Sequence, residues 1–426
     1  MNHRLFILPL AFLALGGGFG AAPATAAGAG DRSDAGPRFL AAVEAAVAAG
    51  EASAGEALLW KFAWGFAPEE LPARFRVDHP VPLKCGTALI AEYEGLRDRL
   101  PPETVKRIDG WLAPAPAGAD KAVYNSPGGH FTLTYDTIGA NTVPPTDVAP
   151  ADGIPDFVAK VAGYLDETWA FAIDRLGFTP PPVGDGRYQV DFEAMNFYGY
   201  TTPLASPVGA TRITLHNTYL DFPPNTDPEG NQWGAAKVTV AHEFKHASQR
   251  AGSLWSEGGW VELDATWMED AAYDYVNDYY NYLYAGGPIS APGSPLDNGG
   301  LGGSYEDCVF QHWLTETWDD RIVVDFWARR KTHQGEAVLA TYNAVLADRG
   351  SSVALGWPTF TAWNYLTGTR AVAGAGYGEA AAYPTGPATS VAVYPATVGG
   401  TVAYLAAAFV RCTALPPLAG RVLVRF

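Results

Sequence analysis

Basic residues and cysteines are scarce in this sequence of 426 residues. Lys and Arg together number 28 against 45 Asp and Glu, which gives a formal net charge of −17. Proteins that bind nucleic acid or dock on anionic membranes concentrate positive charge, so we expect neither partner here. With only three cysteines, disulfide bonds cannot form the scaffold, and an odd number leaves at least one thiol without a partner in the chain.

Long apolar runs are also missing after the first 26 residues. Residues 1–26 combine a weakly basic start at Arg4, an apolar run over residues 5–15 and small residues that form A-x-A cleavage sites up to Ala26. The run is shorter than the roughly 20 residues that span a bilayer, which favours a signal peptide over a membrane anchor. We therefore predict a secreted, extracellular protein whose fold begins after residue 26.

What the sequence does contain is a large apolar fraction, 48% of the residues, which is enough for a sizeable core. Helical spacing of apolar residues predicts a helical N-terminal region over 27–120, which ends in a Pro- and Ala-rich linker at 113–120. Residues 121–380 combine strand patterns with longer helical patterns, and 381–426 form a Val-rich, alternating tail. Together these patterns predict an α+β fold with a short β-rich C-terminal segment.

Within residues 121–380 the pattern also locates individual elements. Period-two alternation predicts strands at 130–135, 188–192 and 211–216. Apolar residues at helical spacing predict a helix over 157–176 after Pro155, helices over 235–285 with one break, and a helix over 303–330.

The strongest chemical signal is the sequence His242-Glu243-Phe-Lys-His246. On a helix, His242 and His246 lie one turn apart on the same face, so both imidazoles can bind one Zn²⁺. Glu243 lies one step round the helix, where it can act on a water molecule without being a ligand. Apolar neighbours such as Val240 and Phe244 favour a buried metal-bearing helix over a solvated cluster of charges.

A catalytic zinc site needs a third protein ligand. Gln249 and Gly252 occupy the places that a Gly and a third His would take in the longer histidine motif, so a carboxylate from the next helix is the remaining source. The candidates are Glu257, Glu262 and Glu269. Glu257 lies in the predicted turn, whereas Glu262 and Glu269 are seven residues apart and share a helical face. The residues alone leave open which of these two is the ligand.

The segment from Trp260 to Trp267 is similar to the W-x-E-x-x-A-x-W/Y segment of gluzincins, the HExxH zinc peptidases with a Glu ligand. Over roughly residues 125–330 the chain more closely resembles an uncharacterised family of secreted bacterial metalloprotease-like proteins. The H-E-F-x-H-x-x-Q block, the E-x-x-A-x-W-x-E-D block and the Asn277-Asp-Tyr sequence carry that resemblance. It implies a zincin-like domain with a small mixed sheet, an active-site helix and a helical second half, and it implies that Glu262 is the third zinc ligand.

The sequence departs from the thermolysin-like pattern at Thr266, where that pattern has Asp. The outer partner of the zinc histidines therefore stays open among Asp264, Glu269 and Asp270. Gluzincins also place a Tyr or His near the metal to stabilise the developing oxyanion, and Tyr305 and His312 resemble such residues. An equal alternative is that these two side chains only pack in the core.

These observations predict a secreted zinc metalloendopeptidase that hydrolyses peptide or protein substrates. Its predicted metal ligands are His242, His246 and Glu262, and its predicted catalytic residues are Glu243, Tyr305 and His312. One alternative is a non-catalytic surface or binding protein whose zinc site is structural or a relic. Glu243 argues against that alternative, because a purely structural site has no need of it. A zinc hydrolase of non-peptide amides would use the same ligands.

The sequence Leu83-Lys-Cys85-Gly86 suggests a regulatory role for the N-terminal region. A thiolate is a strong zinc ligand, so residues 27–120 can be an inhibitory propeptide in which Cys85 occupies the open metal position. Pairing of Cys308 with Cys412 would leave Cys85 as the odd thiol. The segment is loosely similar to the Cys-Gly latch of matrix metalloproteases, whose catalytic motif differs. The alternative is that Cys85 is a small buried apolar residue.

Overall fold

The computed structural model describes residues 35–77, 81–113, 120–184, 186–284, 286–296, 304–392 and 401–413. The predicted signal peptide, most of the predicted linker and the Gly-rich stretch before Tyr305 lie outside these ranges. No helix in the described ranges has both the length and the apolar character needed to span a membrane.

The described residues form α-helices and short strands in a mixed order. The helices are α1 (Ala35–Ala48), α2 (Ala54–Phe66), α3 (Thr87–Leu96), α4 (Pro102–Leu112), α5 (Asp156–Trp169), α6 (Asn231–Ser253), α7 (Trp260–Ala272), α8 (Gly287–Ser290), α9 (Val309–Thr317), α10 (Arg321–Thr332), α11 (Val338–Ala347) and α12 (Val353–Tyr365). The strands are β1 (Leu83–Cys85), β2 (Lys121–Asn125), β3 (Phe131–Asp136), β4 (Tyr188–Glu193), β5 (Phe197–Pro203), β6 (Thr211–His216), β7 (Thr389–Val391) and β8 (Val410–Cys412).

Six of these strands form one mixed sheet in the order β1-β5-β6-β4-β3-β2. Strands β3, β4 and β6 run parallel to one another, whereas β2 pairs with β3, and β5 with β6, in antiparallel fashion. Strand β1 lies at one edge and pairs with β5 in parallel. Of the predicted α+β fold, the combination of helices with a small mixed sheet is therefore confirmed.

The strands with clear alternation, β3, β4 and β6, lie where the sequence places them. Helix α5 begins directly after Pro155 and continues as a π-helical turn to Leu176, as the apolar spacing predicts. Strand β5 was not predicted, because five successive residues from Phe197 are buried and leave no alternation. Strand β1 spans only three residues, too few to show a period, so the N-terminal region is less purely helical than the sequence predicts.

Two of the predicted helical stretches are shorter than expected. The stretch 235–285 contains α6 and α7, but after Ala272 the described residues hold only a 3₁₀ turn at Asp278–Asn281. Asn277 has a φ of 54°, which an α-helix cannot accommodate. The stretch 303–330 is divided between α9 and α10. In the C-terminal tail the described residues include only the pair β7 and β8, and 393–400 and 414–426 lie outside them.

Helix α6 packs against α5, α7 and the strands β5 and β6, and nearly all of its side chains are buried. Phe244 on this helix packs against the rings of Phe131 and Tyr188 from the sheet. A smaller apolar cluster joins α2, α3 and α4 to Phe197 and Tyr200 on β5. The N-terminal region is therefore packed directly on the strand that lies beside α6.

Candidate metal centre

Helices α6 and α7 bring the three predicted metal ligands together. Residues 254 and 255 have φ values of 58° and 60°, which end α6 and turn the chain so that α7 returns along it. The Nε2 atoms of His242 and His246 are 3.0 Å apart. The Glu262 carboxylate lies 3.1 Å from His242 Nε2 and 3.4 Å from His246 Nε2. Glu262, not Glu269, is thus the carboxylate shared by both imidazoles.

A fourth donor comes from the N-terminal region. One ligand atom from each of Cys85, His242, His246 and Glu262 falls within a cluster whose atoms all lie within 4.8 Å of one another. We call these four residues the metal cluster. Each is at most 4% exposed. The Cys85 sulfur also accepts a hydrogen bond of 3.2 Å from the backbone N–H of Thr87.

His242 is supported by a chain of buried charges. Its Nδ1 lies 2.7 Å from Glu269 Oε1, and the other oxygen of Glu269 lies 2.7 Å from Lys84 Nζ. Lys84 also contacts Asp278 at 2.5 Å. Among the outer partners that the sequence left open, Glu269 is therefore the one that contacts a cluster histidine directly.

His246 is supported by an amide. Its Nδ1 lies 2.8 Å from Gln249 Oε1, and the Gln249 NH₂ group donates to Val261 O and to Asp264 Oδ2, both at 2.9 Å. Lys245 contacts the same Asp264 oxygen at 3.0 Å. Asp264 therefore acts on His246 through Gln249.

These contacts fix the orientation of both imidazoles. Each Nδ1 faces an oxygen acceptor and must carry the hydrogen, so both Nε2 atoms face the cluster. Burial lowers the pKa of His242, but hydrogen bonds to Glu262 and Glu269 outweigh it and raise the pKa to about 9. Burial raises the pKa of Glu262, but the two imidazoles outweigh it and lower the pKa to about 2. Both shifts favour a positive charge at the centre of the cluster.

Glu243 lies beside the cluster and is completely buried. Its Oε2 accepts hydrogen bonds from Thr87 Oγ1 at 3.0 Å and Thr201 Oγ1 at 2.8 Å, whereas its Oε1 has no hydrogen-bond partner among the described residues. Gly199 on β5 makes room for it, because a Cβ at that position would lie 3.0 Å from Glu243 Cγ. The carboxylate is thus held on one oxygen only.

The structure places the two remaining candidates differently. The ring of Tyr305 is buried, and its centroid lies 6.0 Å from that of His242. His312 instead stacks on Tyr279 at 5.1 Å, and its Nδ1 lies 3.7 Å from Asp270. Burial lowers the pKa of His312 to about 4, so it is neutral at pH 7. Tyr305 therefore adjoins the cluster, while the contacts of His312 match those of a packed core histidine.

Several contacts of the site could not be read from the sequence. Thr87, Thr201 and Lys84 lie far along the chain from their partners, and although Lys84 belongs to the Leu83-Lys-Cys85-Gly86 sequence and Thr87 follows it, that sequence does not indicate their contacts with Glu243 and Glu269. Gln249 had a signal in the H-E-F-x-H-x-x-Q block, but its hydrogen bond to His246 did not follow from it. The expected Cys308–Cys412 pair is wrong, because all three cysteines are free and Cys308 is buried whereas Cys412 is exposed.

The donor set fits a zinc ion. Imidazole nitrogens, carboxylate oxygens and cysteine thiolates are the ligands that zinc accepts in proteins, usually four at a time. Glu262 Oε1 is buried and has no hydrogen-bond partner among the described residues, as expected of an oxygen that binds a cation. Comparison of the chain with protein-family models, curated proteins and solved structures gave no match, so the interpretation of these residues depends on their geometry.

Proposed function

We propose that this protein is a secreted zinc-dependent peptidase of the zincin type. The observation that carries the proposal is Glu243, a buried carboxylate that adjoins the metal cluster without belonging to it and has one oxygen without a partner among the described residues. A buried, under-bonded carboxylate is costly and serves no purpose at a purely structural metal site.

His242, His246 and Glu262 would hold the metal. Zinc bound there supplies a Lewis acid that polarises a carbonyl and lowers the pKa of a water molecule. Glu243 would accept the proton of the attacking water through its free oxygen and pass it to the leaving amine. Thr87 and Thr201 orient that carboxylate by binding its other oxygen.

Tyr305 would assist the reaction from its position beside His242. Its buried ring lies near His242, and burial together with the charge of Glu262 raises the pKa of its phenol, so the hydroxyl stays protonated. A neutral phenol can donate a hydrogen bond to a developing oxyanion. We therefore propose that Tyr305, and not His312, donates this hydrogen bond.

Peptides are the substrate class that the sequence favours, through the resemblance of the two metal blocks to gluzincins. The main rival function is a non-catalytic protein with a structural zinc. The closed set of four donors, each almost fully buried, is the observation that favours this rival. The two functions differ in what they require of Glu243, so that residue decides between them.

The test is the substitution Glu243→Gln, measured both in the otherwise wild-type chain and together with Cys85→Ser. We expect zinc content to stay near one ion per chain, while kcat for a casein-derived peptide falls about 100- to 10,000-fold in every form that is active. The exposed Glu94 on α3 provides the control, because Glu94→Gln should change neither quantity. Unchanged turnover when Glu243→Gln is added to an active form, such as Cys85→Ser, or no stoichiometric zinc in the wild type, would refute the proposed function.

A further inference from the structure

The metal cluster is closed to solvent in this chain. His242 is 1% exposed, His246 and Glu243 are 0% exposed, and Glu262 is 4% exposed. A zinc peptidase needs one metal position open to water and a path for the substrate carbonyl. The described residues offer neither, and one short segment, Leu83–Thr87, contacts both the metal cluster and Glu243.

Cys85 is the part of this segment that enters the cluster. Its sulfur belongs to the same group of mutually close donor atoms as the two imidazoles and Glu262. A thiolate and a carboxylate together balance the charge of a Zn²⁺ ion, which matters because an uncompensated charge is expensive to bury. The Thr87 N–H group already donates a hydrogen bond to this sulfur, as outer partners of metal-bound thiolates do.

Thr87 contacts Glu243, the proposed general base. Its hydroxyl donates to Glu243 Oε2 and accepts a hydrogen bond of 2.8 Å from the backbone N–H of Thr201. A single residue of the segment thus fixes the carboxylate that the proposed reaction needs. The segment contacts both the metal cluster and the general base.

The segment also occupies the sheet edge beside the site. Strand β1 pairs with β5, with Leu83 N donating to Asn196 O at 2.8 Å and Gly86 N donating to Gly199 O at 3.0 Å. An extended peptide that adds to a sheet edge would use these same backbone groups of β5 and of Asn196, which directly precedes it. Without β1, the edge of β5 next to Glu243 would be free for a substrate strand.

The N-terminal helices hold the segment in place. A Cβ on Gly65 of α2 would lie 1.7 Å from the Phe197 ring, so α2 packs against β5 with no space between them. Asn196 donates through its side chain to Trp64 O at 3.0 Å and through its backbone to Gly65 O at 2.8 Å. Leu83 itself packs against the apolar cluster formed mainly by residues of α1 and α2, so the segment is anchored by the region that precedes it.

We infer that Leu83–Thr87 is a built-in inhibitor, in which the Cys85 thiolate takes the fourth zinc position and keeps the chain latent. This inference rests on the proposed function. The thiol would lose its proton to solvent as the Zn–S bond forms, and the bound water would leave. Displacement of the segment would reverse the exchange, with water returning to the metal and a proton to the sulfur.

The first test is X-ray absorption at the zinc edge on the whole zinc-loaded chain, which needs no substitution. We expect one sulfur neighbour at about 2.3 Å in addition to nitrogen and oxygen neighbours at about 2.0–2.2 Å. Cys85→Ser should lose the sulfur neighbour, whereas Cys308→Ser should keep it. Cys308 is the matched control because it is also a free, buried thiol. A wild-type spectrum without sulfur would overturn the inference.

The second test is peptide hydrolysis by the same preparations. We expect the wild type and Cys308→Ser to be nearly inactive and Cys85→Ser to be at least about tenfold faster, which corresponds to about 1.4 kcal/mol. Equal and measurable rates of hydrolysis in the wild type and Cys85→Ser would overturn latency while leaving the proposed function standing. If zinc-loaded Cys85→Ser lacks the sulfur neighbour and still cleaves no peptide, the proposed function fails, and latency fails with it.

Discussion

The two histidines of the metal cluster are supported in different ways. His246 is held by Gln249 and, through it, by Asp264, all within the α6–α7 hairpin. His242 is held by Glu269, whose charge is balanced by Lys84 from β1. One support is thus local in sequence and uses an amide, whereas the other reaches into the N-terminal region and uses a chain of buried charges.

This difference couples the N-terminal region to the metal in two ways. Cys85 enters the cluster directly, and its neighbour Lys84 compensates the carboxylate that orients His242. A displacement of β1 would therefore remove a donor and also leave Glu269 and Asp278 buried without their cation. The His246 side would keep all of its partners.

We expect the largest loss of zinc affinity from substitution of Glu262, the residue that contacts both histidines. Glu262→Ala removes a carboxylate that contacts both imidazoles, so we expect zinc affinity to fall by more than about 100-fold. Glu269→Ala and Gln249→Ala each remove an outer partner of one histidine and should cost about 10- to 100-fold. Competition with a chromophoric chelator measures all three affinities.

The prediction concerns the order of these three losses in zinc affinity. Glu269→Ala and Gln249→Ala serve as matched controls for one another, because each breaks one support and leaves the four donors in place. A smaller loss in Glu262→Ala than in Glu269→Ala would mean that Glu269 is the ligand and Glu262 the outer partner.

The two lysines provide the next comparison. Burial lowers the pKa of Lys84, but Asp278 and Glu269 outweigh it and raise the pKa. For Lys245, burial prevails over Asp264 and lowers the pKa to about 8. The ammonium of Lys84 is therefore well compensated, whereas that of Lys245 is not.

We expect Lys84→Met to lower the free energy of unfolding by about 3–5 kcal/mol, because two buried carboxylates lose their cation. Lys245→Met should cost about 1.5–3 kcal/mol or less, since Asp264 keeps hydrogen bonds from Gln249 and Gln311. Urea unfolding of the zinc-loaded proteins measures both. Equal costs would show that the N-terminal region is no more important to the site than the hairpin itself.

A second substitution tests the cause of the larger loss. Asp278→Asn, added to Lys84→Met, removes one of the two uncompensated charges and should restore part of the stability. If the double variant is no more stable than Lys84→Met, lost packing explains the cost better than buried charge does.

The contrast between contacts that are local in sequence and contacts between distant segments also explains which features the sequence could predict. His242, Glu243 and His246 lie within one helical turn, so a local motif placed them, and the strand patterns of β3, β4 and β6 located half of the sheet. Thr87 and Thr201 could not be found, because their partner Glu243 lies 156 and 42 residues away and a lone Thr carries no periodic signal. Strand β1 was not predicted for the same reason, because a strand of three residues is defined only by its pairing with β5.

The smallest predicted effect concerns Asp270, the residue after Glu269 on α7. Glu269 contacts Lys84, whereas Asp270 has only His312 at 3.7 Å as a basic neighbour among the described residues, and its Oδ1 has no hydrogen-bond partner there. Burial, followed by the charges of Glu379 and nearby carboxylates, raises the pKa of Asp270 from 3.8 to about 8. Two adjacent carboxylates thus differ in whether a cation compensates them.

The sign of the effect follows from the raised pKa of Asp270. The native state binds this proton more tightly than the unfolded state, so its stabilising contribution is complete below about pH 3.8 and is lost progressively as the pH rises to about 8. Asp270→Asn cannot lose this contribution. The stability of the variant relative to the wild type should therefore increase by up to about 1.4 kcal/mol between pH 7 and pH 9. Urea unfolding at both pH values, with zinc content checked in each, measures the change. An unchanged difference would mean that Asp270 is already ionised at pH 7, and that α7 tolerates a buried carboxylate without the lysine that its neighbour has.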